Sequence, residues 1–189
     1  ELEKEWKKYE VLRFDLSGCV TVEEFKSKLE MILRGYERQY KIDYIESTPG
    51  DRLSVLIKTI SQGQRNVVLL VDEYDYPLQH TLFNEDKHEP LKDAYRNFFA
   101  VFKSQSRYIR FIFLTGITKF TGLSLFSVLN NIKVNGFWPE YQSICGITEE
   151  EVHTTLRPYV LRLADKLGLT EDETYQAIKD HYDGYHFCE

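Results

Sequence analysis

The spacing of apolar positions changes along this chain, and each change marks an element. Residues 67–71 are an unbroken apolar run, Val-Val-Leu-Leu-Val, closed by Asp72-Glu73. A run of that length without polar alternation predicts a strand buried on both faces, as in a parallel sheet. Residues 9–16 and 110–115 read as two further strands. Between the strands the apolar period lengthens to that of a helix. Thr21-Val22-Glu23-Glu24 is a capping box, and Val22, Phe25, Leu29, Ile32, Leu33 and Tyr36 keep one face apolar to about Tyr40. Thr48-Pro49 with Asp51 opens a second helix, with Leu53, Leu56, Ile57 and Ile60 inward and Gly63 at its end. Tyr76-Pro77-Leu78 breaks the exit of the central strand, and residues 82–89 read as a polar surface loop. Residues 91–105 form a third helix through Ala94, Phe98, Val101 and Phe102.

After Gly116 the pattern loosens. Residues 123–131 suit a short helix and 143–146 a short strand. Thr148 with Glu151, and Thr170 with Glu173, are two more capping boxes; Pro158 is expected to kink the first helix, and Asp183-Gly184 to end the second. Strands separated by helices make βαβ units, so the expected fold class is α/β, a parallel sheet flanked by helices. The expected division is an α/β core over residues 1–147 and a small helical subdomain over 148–189.

Composition narrows the partners. A net charge of −6 repels nucleic acid, so direct contact with it is disfavoured, although Arg107, Arg110 and Lys119 could form a local basic patch. No apolar run approaches the roughly 20 residues of a membrane span. Cys19, Cys145 and Cys188 lie far apart with no paired spacing, which points to a reducing, cytoplasmic setting. His80, His88, His153, His181 and His186 have no metal-ligand spacing, and Ser124 and Ser127 lack a nucleophile-elbow context.

The chemistry concentrates at two strand ends. A buried strand that delivers Asp72-Glu73 to its carboxyl end matches the Walker B arrangement of nucleotide-hydrolysing α/β proteins. In that reading Asp72 holds Mg²⁺ through water and Glu73 polarises the attacking water. The bland alternative is a strand ending in a solvated acidic turn. Asp75 either braces a neighbouring basic group or is a turn residue before Pro77. Thr115-Gly116 ends the next strand, where a hydroxyl can sense the terminal phosphate of a nucleotide and a glycine permits close backbone approach. An ordinary glycine turn explains the same residues. Lys119 either neutralises phosphate or is simply solvated.

The motifs DEYDYPL (72–78), FLTGITKF (113–120), LFSVLNNI (125–132), ICGITEEEV (144–152) and YDGYHF (182–187), in that order, resemble the AAA-ATPase-like domain of a bacterial protein family. In such proteins the domain usually precedes a restriction-endonuclease-like nuclease domain. The resemblance implies a P-loop NTPase fold that binds ATP and Mg²⁺ as cofactors. It implies Asp72 and Glu73 as the Walker B pair and Thr115 as a sensor-like residue; Gly116 and Lys119 join the cofactor-binding set through the residue readings above. Members carry a Walker A segment upstream, whose amides, lysine and hydroxyl cradle the phosphates. None of the ten glycines here is followed by lysine. The expectation is therefore a fragment lacking its first, P-loop strand, which would lie beside the sensor strand. Its partners would be that upstream segment and a downstream nuclease-like domain, and alone it would bind ATP very weakly. A non-hydrolysing scaffold that keeps the fold is the alternative.

Overall fold

The computed structural model describes residues 7–43, 47–117, 141, 144 and 146–182. The chain divides into two compact units, Glu1–Ile132 and Lys133–Glu189.

The first unit contains β1 (Glu10–Asp15), α1 (Val22–Gln39), α2 (Pro49–Ser61), β2 (Val67–Asp72), α3 (Tyr76–Thr81), α4 (Glu85–Ser104) and β3 (Ile109–Leu114). The strands pair in parallel in the order β1-β2-β3. β2, the Val-Val-Leu-Leu-Val run, is central. β1 and β2 pair without a shift from Glu10↔Val67 to Asp15↔Asp72. One shift between Val67 and Val68 sets Val68 opposite Phe111 and Val71 opposite Leu114.

Both crossovers step the same way across the sheet. Because such crossovers are right-handed, their helices fall on one face. Leu12, Phe14, Leu69 and Val71 are buried there against Phe25, Leu29 and Leu33 of α1, Leu53, Leu56 and Ile57 of α2, and Tyr95, Phe98 and Phe102 of α4. Aromatic rings key the layers together: Phe25 stacks on Tyr95 at 4.4 Å, and Phe98 meets Phe14 edge-on at 5.3 Å. Each such buried side chain contributes about 1.5–3 kcal/mol. The Thr21–Glu24 capping box forms in full, and Thr48 accepts from the Asp51 amide. Arg52 and Glu37 join α1 to α2 as a buried bidentate pair at 2.8 and 2.7 Å.

The opposite face carries Val11 and Arg13 of β1, Val68 and Leu70 of β2, and Phe111 and Phe113 of β3, by strand alternation. Phe111 is 54% exposed and Phe113 43%, and their rings stack at 6.3 Å. Among the described residues of the first unit no helix covers this face. α1 guards the outer edge of β1: the Tyr36 hydroxyl accepts from the Arg13 amide at 2.7 Å, and the Tyr40 hydroxyl donates to Glu10 at 2.6 Å. The outer edge of β3 has no partner strand among the described residues.

Two expectations are corrected here. Tyr76-Pro77-Leu78 does not simply break the chain; it opens α3, with Pro77 in the first turn, where a missing N–H costs nothing. Residues 85–89 are helix and not loop. Asn84 accepts from the Lys87 amide, Glu85 and Asp86 suit the positive end of the helix, and α4 runs on through Pro90.

In the second unit, α5 (Glu149–His153), α6 (Arg157–Leu167) and α7 (Glu171–Tyr182) follow one another. The Thr148–Glu151 and Thr170–Glu173 boxes both form. The single helix expected to kink at Pro158 is two helices, because proline suits the first turn of α6 and cannot donate within a longer helix. Arg157 grips Glu171 at 2.7 and 3.0 Å, and His153 packs on Tyr175 at 3.9 Å. The helix expected at 123–131, Lys119, Ser124, Ser127 and Asp183-Gly184 lie outside the described residues, as does part of 143–146.

Candidate functional site at the carboxyl edge of the sheet

Parallel strands end together, so side chains distant in sequence meet at the carboxyl edge. Asp72 closes β2, Asp15 lies beside it on β1, and Thr115 follows β3. The Thr115 hydroxyl donates to Asp72 Oδ1 at 2.5 Å. Arg13 Nη2 donates to Asp72 Oδ2 at 3.2 Å. The Thr115 hydroxyl first, and the Arg13 guanidinium after it, hold the Asp72 carboxyl below its ordinary range. Asp15 is held low by Ser17, whose amide donates to Oδ1 at 2.9 Å, with Lys28 at 3.8 Å.

Past the strand ends the hydrogen bonding continues. The Thr115 amide donates to the Val71 carbonyl at 2.9 Å, and the Tyr74 amide to the Thr115 carbonyl at 3.0 Å. Glu73 sits between these links with φ +48, a left-handed conformation rare outside glycine. It turns the chain at the sheet rim and is half-buried there. Asp75, two residues on, is 1% exposed. It accepts from the Ile117 amide at 3.0 Å and from the Gln79 side chain. Gly116 lies directly against this turn: an added Cβ would stand 2.7 Å from Tyr74 Cε1 and closer still to the Asp75 carboxylate.

Asp72, Glu73, Thr115 and Gly116 are thus brought to one rim, and Lys119 lies outside the described residues. Sequence reasoning passed over Arg13 and Asp15. Their signal was a pair of charges alternating with buried Leu12, Phe14 and Leu16 at the end of a strand.

Chemically, the rim offers a depressed carboxylate, a hydroxyl donor and a half-buried second carboxylate. That donor set suits a hydrated divalent cation and a phosphate oxygen. The Arg13–Asp72 pair is exposed and screened, so a divalent ion can displace it. Among the described residues there is no cluster of three or more acidic, histidine or cysteine ligands. A cavity of about 540 Å³ lies elsewhere, on the helical side between Phe25, Leu29, Pro49 and Phe98, and holds none of the rim residues. No helix among the described residues is long and apolar enough to cross a membrane.

A family model described as predicted AAA-ATPase matches residues 1–126. A protein of Azotobacter chroococcum mcd 1, described as an uncharacterized protein in the vnfD 5′ region, is 30% identical over 184 residues. That match covers 96% of this chain and 34% of the relative, so the chain spans about a third of that protein's length. No solved structure matches.

Proposed function

The chain belongs to the predicted AAA-ATPase family, and from that premise we propose that it supplies the Walker B and sensor portion of an ATP-hydrolysing domain within a longer protein. One observation carries the reading: Asp72 and Thr115 are bonded to each other at the carboxyl ends of neighbouring parallel strands. Open α/β sheets bind ligands at that edge. In the proposal Asp72 holds Mg²⁺ through water, Thr115 donates to a phosphate oxygen, and Glu73 orients the attacking water. The magnesium would supply charge neutralisation of the phosphates. Gly116, as the position of close backbone approach, and Lys119, as a phosphate-neutralising cation, belong to the same proposed site.

The sheet face that no described helix of the first unit covers supports the missing-layer part of the proposal. All-parallel sheets are almost always covered on both sides, and β2 is apolar on both. A right-handed crossover reaches the open face only by stepping opposite to β1-β2-β3. The unit that satisfies this is a strand beside β3 followed by a helix returning to β1. A Walker A strand and helix upstream of β1 would have that form, with the helix amino end aimed at the rim. A downstream nuclease-like domain rests on the resemblance alone.

Two measurements test this. In the full-length protein, Glu73→Gln should retain nucleotide and lose at least about a hundredfold in turnover, as loss of a water-orienting base does. An unchanged rate would favour the scaffold alternative. By calorimetric titration the 189-residue chain should bind Mg-ATP only weakly, because it lacks the phosphate-cradling amides and lysine. Micromolar affinity would remove the need for a missing cradle.

A further inference from the structure

Resting on the reading above, we infer that Asp75 is a positioning residue: it clamps the segment after β3 to the turn after β2, holding the Thr115 hydroxyl on Asp72 and linking the phosphate-sensing end of β3 to α3. A carboxylate at 1% exposure is costly unless its oxygens are bonded. Asp75 directs that bonding outward from its own turn, to the amide of Ile117 on the neighbouring strand's exit. The sequence separation is 42 residues, so this is a tertiary clamp and not a local turn bond.

Thr115 is then held from both sides. Its own amide and carbonyl bond to Val71 and Tyr74, and two residues later Ile117 is pinned by Asp75. Gly116, between them, lies so close to Tyr74 and Asp75 that a Cβ there would force their side chains to shift. The clamp places a hydroxyl at 2.5 Å from Asp72, a distance that a small shift of the segment would break. The same carboxylate receives the Gln79 side chain from α3. A displacement of Thr115 by phosphate therefore has a direct route into α3.

The test uses the full-length protein with Asp75→Ala, Asp75→Asn and Gly116→Ala. Asp75→Ala should lower kcat for Mg-ATP about tenfold or more with KM within about threefold, because small misplacements of reacting groups cost that much. Amide exchange at residues 115–117 and 76–79 should quicken about tenfold while β1 stays protected. Asp75→Asn keeps an oxygen for the Ile117 amide and should recover most of both losses; Gly116→Ala should behave like Asp75→Ala. Wild-type turnover per folded molecule in Asp75→Ala, or faster exchange spread evenly over the core, overturns the proposal. If Asp75→Ala does not fold, Asp75→Asn and Gly116→Ala decide by the same readouts. A wild type inert to Mg-ATP overturns the enzymatic reading and with it the effect of Asp75 on turnover. The exchange pattern then decides the clamp independently.

Discussion

At the scale of the residue, Asp72 is governed by two donors from other strands. The Thr115 hydroxyl and the Arg13 guanidinium both favour its ionised form, so its folded pKa lies below the ordinary 3.8. A depressed folded value adds stability that is complete above the unfolded pKa and is lost as pH falls through the folded one. Thr115 is the larger cause, so Thr115→Val should move the Asp72 titration midpoint up toward 3.8 by more than Arg13→Gln does. Carboxyl-detected NMR titration measures both, and a midpoint indifferent to Thr115→Val would mean that the hydroxyl bond is not made in solution.

At the scale of the element, capping and pairing decide where helices begin and how they lean on one another. Three Thr-x-x-Glu boxes form where the sequence places them. Residues 85–89, at the start of α4, read as loop because they are polar and charged and show no apolar period. In the structure Asn84 caps that turn, and Lys92 pairs with Glu89 one helical turn away. Between α1 and α2, the Glu37–Arg52 pair is buried with side-chain exposures of 7% and 1%. Removing one partner takes two charge-assisted hydrogen bonds away from the buried group that remains. Glu37→Leu should destabilise the protein by about 3–5 kcal/mol, and Glu37→Leu with Arg52→Met by clearly less. Urea denaturation of the single and double variants measures the difference, and equal losses would refute the coupling.

At the largest scale, the feature to test is the sheet face that no described helix of the first unit covers. Phe111 and Phe113 lie half-exposed on it beside Leu70 and Val68. If the longer protein covers this face, Phe113→Ala should cost about 3–5 kcal/mol there, the value for a buried aromatic. In the 189-residue chain the same change should cost under about 1 kcal/mol, as at other exposed positions. Equal shifts in denaturation midpoint for the two proteins would mean that nothing covers the face.

Local patterns in the chain specify the elements and the acids at their ends. Local period and capping chemistry act over a few residues, so the central strand, α1, α2 and the positions of Asp72, Glu73 and Thr115 could be read directly. What those residues touch follows from the folded arrangement alone. Arg13 reaches Asp72 across 59 residues of chain, and Thr115 reaches it across 43. Those meetings depend on strand order and register, which arise from packing between distant segments and leave no local trace. The same holds for Asp75: as a letter it suits a turn before proline, and only the parallel pairing of β2 with β3 brings the amide of Ile117 to its carboxylate.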